Sequence, residues 1–247
     1  MYKTYTEDIG IRTLDCDLMG TWRPSAILGC MQEVAGTHSE LLGVGRNALL
    51  EKDMAWVITR MEVELDRCPH IGETVSMETY PTATRRWFFP RYYLLRDAQG
   101  NEFGRAATLW VLLNLKSRRM VQPDAVASLL PDNRDLPMPL GLPAPVTEIS
   151  GTVETADRVP VYTDLDTNLH VNNTRYLDWA CNALGVETMT AYELGRFAVN
   201  YNQEVRAGQE VHTVLHRFGT AFSYSGFAGE TRLFDVGGVL RERERAY

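Results

Sequence analysis

The order of local patterns is the feature that most restricts how this chain can fold. Apolar residues recur at three- and four-residue spacing over 24–42, which predicts an amphipathic helix, and Pro24 suits its first turn. Four runs rich in Val, Ile, Tyr, Phe and Trp follow, separated by short turn sequences: 55–65, 74–81, 87–96 and 102–114. Because strands joined by short turns pair antiparallel, we predict an antiparallel sheet curled around the helix.

The second half of the chain shows the same order. Apolar residues at helical spacing predict a helix over 173–184, with Gly185 as its C-cap. Strand patterns follow near 196–206, 210–218, 220–227 and 231–241. We therefore predict two units of about 120 residues, each a helix followed by a sheet. The alternating charges of 241–245 predict a solvated end.

A proline-rich segment separates the two units. Seven of the eleven prolines lie between Val121 and Pro160, where no periodicity is sustained. Because proline removes backbone donors and favours extended segments, we predict a crossover that runs over the surface. The predicted division is an N-terminal unit at 1–125, a linker at 126–158 and a C-terminal unit at 159–247.

Charge and composition exclude several classes of protein. The net charge of -7 argues against general nucleic-acid binding, which needs a clustered basic surface. No apolar run approaches the ~20 residues of a membrane span, and the first residues lack the pattern of a signal peptide, so a cytoplasmic protein is expected. The cysteines are scattered without a C-x-x-C pair, which predicts reduced thiols and no metal site. They are Cys16, Cys30, Cys68 and Cys181.

The polar segment 163–173 is the candidate site. Asp166, Asn168 and His170 stand at i, i+2 and i+4, so an extended segment would point all three side chains the same way. The predicted helix follows directly, and the free N–H groups at its start suit a carbonyl oxygen that gains negative charge during acyl transfer. An Asn- and Asp-rich turn that only caps the helix accounts for the same residues equally well.

Six segments together form a distinctive set. They are Ala55–Met61, Gly72–Val75, Arg85–Trp87, Arg105–Asn114, Asp166–Tyr176 and Asn200–Glu204. In order and separation they resemble the acyl-acyl carrier protein thioesterases of plants and bacteria. The run Asp-x-Asn-x-His-Val-Asn-Asn followed by Tyr is the most specific part of the match, whereas the strand segments alone would be weak.

The resemblance implies an α+β fold of two tandem hotdog units, each an antiparallel sheet wrapped around a long central helix. It also implies hydrolysis of the thioester that joins a fatty acyl chain to the phosphopantetheine arm of acyl carrier protein, which releases free fatty acid and terminates chain elongation. The first unit would bind the acyl chain and the second would carry catalysis. No cofactor and no metal is implied.

The family's catalytic roles carry over to Asp166, Asn168, His170 and Glu204, which occupy the matching motif positions. Many plant members place a cysteine directly after this glutamate, whereas this chain has Val205, so a covalent thiol mechanism at that position is excluded. Direct attack by water is expected instead. Glu204, expected on a strand, is the leading candidate for activating that water, and its division of labour with His170 stays open.

The oxyanion of the tetrahedral intermediate needs hydrogen-bond donors. The backbone N–H groups of Val171, Asn172 and Asn173 are the predicted donors, because they lie near the start of the second helix. Asn168 would orient the water, and Asp166 would fix the geometry of Asn168 and His170.

Two further surfaces follow from the resemblance. Because acyl carrier proteins are acidic, positive charge is expected at the mouth of the site, and the candidates are Arg85, Arg86, Arg118 and Arg119. A solvated surface explains these arginines equally well. On the first helix, Met31, Val34 and Leu41 are the candidates to line an alkyl tunnel, and plain core packing explains them as well.

Three other functions stay open. An acyl-coenzyme A thioesterase could use the same site on a different thiol carrier. A hotdog dehydratase would use a histidine and an acidic residue carried by a helix, whereas Glu204 is predicted on a strand. A binding module could sequester acyl carrier protein without catalysis. The preferred acyl chain is not predicted, and a homodimer stays possible beside a single chain that holds both units.

Overall fold

A computed structural model describes residues 2–243. The strands are β1 (Tyr5–Gly10), β2 (Met54–Leu65), β3 (Thr74–Pro81), β4 (Phe89–Arg96), β5 (Glu102–Asn114), β6 (Thr152–Arg158), β7 (Tyr192–Tyr201), β8 (Val211–Phe218), β9 (Ala221–Ala228) and β10 (Thr231–Glu242). The helices are α1 (Pro24–Leu41), α2 (Arg46–Leu50), α3 (Arg175–Leu184) and α4 (Val186–Ala191). Within the described residues no helix is long and apolar enough to cross a membrane.

All strands belong to one antiparallel sheet in the order β1-β3-β4-β5-β2-β7-β10-β9-β8-β6. Each half of the chain contributes five neighbouring strands to this sheet. The halves meet where β2 pairs with β7, for example Arg60 opposite Asn200 and Glu64 opposite Arg196. The sequence predicts a sheet for each half, and the pairing of β2 with β7 joins the two sheets into one.

The helices pack on this continuous sheet. The buried face of α1 includes Met31, Val34 and His38, as the helical spacing predicts. The buried face of α3 includes Tyr176, whose ring centroid lies 4.5 Å from the ring centroid of Phe234. Residues of both halves join in one buried apolar cluster, so the core is shared between them.

The ends of α3 show how side chains set a helix boundary. The Asn172 side-chain oxygen accepts from the Thr174 backbone N–H at 3.0 Å, so the helix begins at Arg175 rather than at Asn173. At the other end, Gly185 has a φ of 86°, a conformation that glycine adopts without strain. The predicted C-cap is confirmed.

The strand β6 lies inside the predicted linker. Residues 152–158 pair antiparallel with β8, although six of these seven side chains are exposed. An edge strand exposed in this way lacks the alternation of apolar and polar residues that reveals a half-buried strand. The linker prediction is therefore wrong over 152–158, while the predicted division into two units stays a prediction.

The charged tail is only partly a solvated end. Arg241 pairs with Glu193, and the Arg243 side chain is only 9% exposed because it pairs with Asp17. The prediction of a solvated end is therefore wrong for these two arginines. Residues 244–247 lie outside the described residues.

Candidate active site

The segment Asp166–His170 is a tight turn and not the extended strand that the spacing predicts. The Asp166 backbone N–H donates to the His170 carbonyl at 2.8 Å, and Leu169 has a φ of 60°. One carboxylate oxygen of Asp166 accepts from the backbone N–H groups of Asn168 at 2.8 Å and His170 at 3.3 Å. Short acidic side chains favour such turns because they bond to nearby backbone N–H groups. Asp166 therefore holds Asn168 and His170 in place through the backbone.

Glu204 lies in a loop just after β7, which ends at Tyr201. The prediction that it lies on a strand is therefore wrong. The loop forms because the N–H groups of Asn202 and Gln203 both point to the Leu233 carbonyl, which interrupts the regular ladder. The Asn202 amide also donates to the buried carboxylate of Asp235 at 3.1 Å.

The Glu204 loop and the His170 turn are tied together by backbone contacts. The Val171 N–H donates to the Val205 carbonyl at 2.8 Å, and His170 pairs with Arg206 as an isolated bridge. These contacts bring the His170 Nε2 atom to 3.5 Å from Glu204 Oε2. Both side chains are partly exposed. Two residues 34 positions apart in sequence therefore form an imidazole–carboxylate pair that water can reach.

Two arginines share Glu204 with His170. Arg118 Nη2 lies 2.9 Å and Arg206 Nη2 3.5 Å from the Glu204 carboxylate. Partial burial alone would raise the pKa of Glu204, but the Arg118 hydrogen bond and the nearby positive charges lower it below its ordinary value. The carboxylate therefore stays ionised at neutral pH and is a weak base. Arg118, which the resemblance predicts as a carrier contact, also lies within the site, and its contact with the carrier stays a prediction.

Asp235 is a supporting residue that the sequence analysis does not single out. The residue is 4% exposed, and its carboxylate accepts from the Ser225 hydroxyl at 2.7 Å, pairs with Arg232 at 2.7 Å and anchors the Glu204 loop through Asn202. The available signal is its position as the acidic residue in the otherwise apolar run Leu233–Val236 of β10. A buried carboxylate in a strand requires polar partners, and such partners can be sought in neighbouring loops.

The predicted oxyanion donors are largely occupied. The Val171 N–H donates to the Val205 carbonyl, and the Asn172 N–H donates to the Asp164 carbonyl at 2.8 Å. The prediction is therefore wrong for Val171 and Asn172. Within residues 2–243 the Asn173 N–H makes no such bond, and Asn168 is the residue of the turn that lines a cavity.

That cavity has a volume of about 580 Å³ and lies between α1, α2 and the strands of the first half. Its apolar wall includes Leu49, Met54, Trp56, Phe89, Trp110 and Leu130. The side of α1 that faces the cavity carries the small residues Ala35 and Gly36, which leaves space beside the helix.

The three residues predicted for an alkyl tunnel do not line this cavity. Met31 and Val34 are fully buried in the core under α1, and Leu41 is 44% exposed on the surface. The prediction is wrong because helical spacing identifies the buried face of α1, whereas the cavity runs along its flank.

The first half repeats the turn that holds His170. One carboxylate oxygen of Asp17 accepts from the backbone N–H groups of Met19 at 2.9 Å and Thr21 at 3.1 Å. The Trp22 N–H donates to the Pro69 carbonyl at 2.8 Å, as Val171 donates to Val205. Thr21 therefore occupies the position that His170 has in the second half.

Other residues fill the equivalent site in the first half. Cys68, next to Pro69, corresponds to Glu204, and burial raises the pKa of its thiol to about 12. Arg243 donates to the Thr21 hydroxyl at 2.7 Å and pairs with Asp17. Burial likewise raises the pKa of Cys181 to about 12, so neither thiol is an activated nucleophile.

Two family models match successive parts of the chain. The acyl-ACP thioesterase N-terminal domain matches residues 2–129, and the acyl-ACP thioesterase C-terminal domain matches residues 151–236. The chain belongs to the acyl-ACP thioesterase family. The resemblance that the polar segment and the strand segments suggest is confirmed.

Acyl-ACP thioesterases of plants are similar over most of the chain. The chloroplastic palmitoyl-acyl carrier protein thioesterase of Cuphea hookeriana is 28% identical over an alignment 265 positions long. The alignment covers 97% of this chain and 61% of that protein. The chain spans less than two thirds of the length of the first curated relatives it matches.

Solved acyl-ACP thioesterases share the fold. The structure of an acyl-ACP thioesterase from Bacteroides thetaiotaomicron has a TM-score of 0.88 at 23% identity and covers 97% of this chain and 98% of its own. The 12:0-ACP thioesterase from Umbellularia californica has a TM-score of 0.83 at 21% identity and covers 98% of this chain and 99% of its own. This acyl-ACP thioesterase family member therefore has a hotdog-type fold with a large antiparallel sheet.

Proposed function

We propose that this chain hydrolyses the thioester of fatty acyl-acyl carrier protein, releasing free fatty acid and terminating chain elongation. The observation that carries the proposal is the pair of His170 and Glu204, with His170 two residues after Asn168, which lines an apolar cavity. Family membership supports it. In this proposal the chain is two tandem hotdog units that complete one site together, the first holding the acyl chain and the second supplying the catalytic residues.

His170 is the proposed base. Glu204 is a poor one, because Arg118 and Arg206 hold its pKa below the ordinary value, and a base works best with a pKa near the working pH. His170 takes a proton from water, whose oxygen bonds to the thioester carbon. The carbon–sulfur bond then breaks, and the leaving thiolate takes up the proton that His170 holds. Glu204 stabilises the imidazolium, and the Asn168 amide donates to the oxyanion.

Replacing Glu204 by glutamine tests this division of labour. We expect kcat to fall roughly 10- to 100-fold, because the imidazolium loses its negatively charged partner. The measurement is the rate of fatty acid release from acyl carrier protein at saturating substrate. Glu73→Gln is the matched control, since Glu73 is similarly exposed and pairs with an arginine, Arg67, but not with His170. Near-normal turnover of the Glu204 variant would remove this residue from the mechanism.

The basic residues proposed for carrier docking lie at one end of the sheet. Phe89 at the start of β4 pairs with Trp110 near the end of β5, so the turn before β4 and the turn after β5 are neighbours. The first turn carries Arg85 and Arg86, and the second carries Arg119. The second turn also places Arg118 on Glu204. An acidic carrier protein docked at this end would therefore present its acyl arm to the site.

Charge reversal at Arg86 and Arg119 tests the docking. The double variant Arg86→Glu and Arg119→Glu is expected to raise KM for carrier-bound substrate severalfold, with less effect at high salt, because surface attraction is screened. KM for a small soluble thioester should not change. Arg12→Glu, an exposed arginine in the first half, is the control. Equal losses on both substrates would refute the docking surface.

Incubation with acyl carrier protein loaded with a series of saturated chains tests the activity itself, with released acids as the readout. A matching series on coenzyme A tests the second candidate, an acyl-coenzyme A thioesterase with the same site. A dehydratase is disfavoured because Glu204 lies in a loop and not on a helix. Binding of loaded carrier without any acid release would favour a module that only sequesters it.

A further inference from the structure

A buried arginine lines the cavity on the side of the first half. Arg91, in β4, is 6% exposed and forms part of the same cavity wall as Asn168. Its guanidinium lies 3.1 Å from His38 Nδ1, 3.2 Å from the Thr79 hydroxyl and 3.5 Å from the Ser39 hydroxyl. None of these neighbours is an anion.

His38 gives Arg91 no compensating charge. Burial and the charge of Arg91 lower the pKa of His38 to about 4, so its imidazole is neutral at neutral pH. Because its Nδ1 accepts from Arg91, its Nε2 donates to the Tyr2 carbonyl at 3.1 Å. Within residues 2–243 the side chains that contact its guanidinium are those of His38, Thr79 and Ser39, and none of them is a carboxylate. A buried cation without an anion is costly, so this one favours a partner that enters the cavity.

Arg91 and Gln32 have donors on the cavity wall that no acceptor in the described part of the chain uses, while the carboxylates that also line the cavity, Glu33 and Glu40, are exposed. A guanidinium has five N–H donors, and the contacts to His38, Thr79 and Ser39 use at most three of them. On the same flank of α1, two helical turns before Ser39, the buried Gln32 amide nitrogen has no hydrogen-bond partner and also lines the cavity. An unsubstituted alkyl chain would leave these donors unpaired, whereas an oxygen acceptor would satisfy them.

The sheet register places Arg91 far from the hydrolytic site. Arg91 pairs with Thr108 of β5, and the turn that carries Arg118 to Glu204 follows the end of β5 at Asn114. Thr108, opposite Arg91, and Asn114, at the end of β5, are six residues apart. At about 3.3 Å per residue this is roughly 20 Å along the strand. The guanidinium would therefore meet the distal part of an acyl chain whose thioester lies at His170.

We propose that this cavity selects acyl chains that carry an oxygen acceptor near the distal end, a carboxylate above all, and that Arg91 determines this specificity. The inference rests on the proposed thioesterase function and names its substrate class. A distal carboxylate would form a paired, two-point contact with the guanidinium and neutralise its charge. A distal hydroxyl would accept one hydrogen bond without neutralising it.

Three thioesters of one chain length on the same carrier test the proposal, ending in a methyl, a hydroxyl or a carboxylate group. For the unaltered protein we expect kcat/KM for the carboxylate-ended chain to exceed that for the methyl-ended chain roughly 10- to 100-fold, with the hydroxyl-ended chain between them. Arg91→Met should reverse the order, and Arg96→Met, on the same strand but paired with Glu78 and outside the cavity wall, should keep it.

The ratio of two substrates on one preparation does not depend on the folded fraction. If Arg91→Met does not fold, inhibition of the unaltered protein replaces it, and the free dicarboxylic acid should inhibit more strongly than the monocarboxylic acid of equal length. Hydrolysis of the methyl-ended chain without a preference for the carboxylate would overturn this inference alone. Hydrolysis of none of the three would overturn the proposed function together with it.

Discussion

Replacing His170 by alanine is expected to lower kcat for acyl-carrier hydrolysis by roughly 10²- to 10⁴-fold, the usual contribution of a positioned acid–base group. KM should change little, because the cavity wall and the basic turns at the end of the sheet remain. Of the paired groups His170 and Glu204, the imidazole is the better base, since Arg118 and Arg206 hold Glu204 in its ionised, weakly basic form. Single-turnover release of labelled fatty acid measures the chemical step.

The matched control for this variant is His212→Ala. His212 also pairs with a carboxylate, at 2.7 Å from Asp157, but it lies on β8 and not in the turn that carries Asn168. Its loss should leave kcat unchanged. Turnover of the His170 variant within a few-fold of the unaltered rate would show that another group activates the water.

Replacing Asp166 by alanine is expected to lower kcat by roughly 10²-fold, because small displacements of a catalytic group carry penalties of this size. The alanine variant loses the oxygen that accepts from the Asn168 and His170 backbone N–H groups. Asp166→Asn keeps one such oxygen and should retain most of the activity. The comparison of kcat among the three proteins separates geometry from the charge of Asp166.

Asp17 provides a control for the turn itself. It makes the same backbone contacts in the first half and in addition pairs with Arg243. Asp17→Ala should therefore lower the free energy of unfolding by roughly 1–3 kcal/mol without a comparable loss of kcat in the folded protein. Equal losses of kcat in the Asp17 and Asp166 variants would assign both aspartates a purely structural role.

Much of the architecture could be predicted from local patterns. The helix α1 and the strands β2 to β5 follow from apolar periodicity. Each of them buries one face, and the period shows which face is buried. The strand β6 could not be found this way, since most of its side chains are exposed and its pairing with β8 uses only backbone groups. The prediction of an extended segment at Asp166 is wrong because alternating polar residues also suit a turn in which a side chain bonds to nearby backbone groups.

The resemblance places Asp166, Asn168, His170 and Glu204 together as candidates, and local chemistry explains why a helix starts shortly after His170. Three-dimensional packing assigns their surroundings: it brings Arg118 onto Glu204, occupies the Val171 and Asn172 N–H groups, and turns the flank of α1 toward the cavity. These features depend on contacts between residues far apart in the chain. Periodicity reports which side of an element is buried, but the charge that a carboxylate meets depends on the neighbouring elements that fold against it.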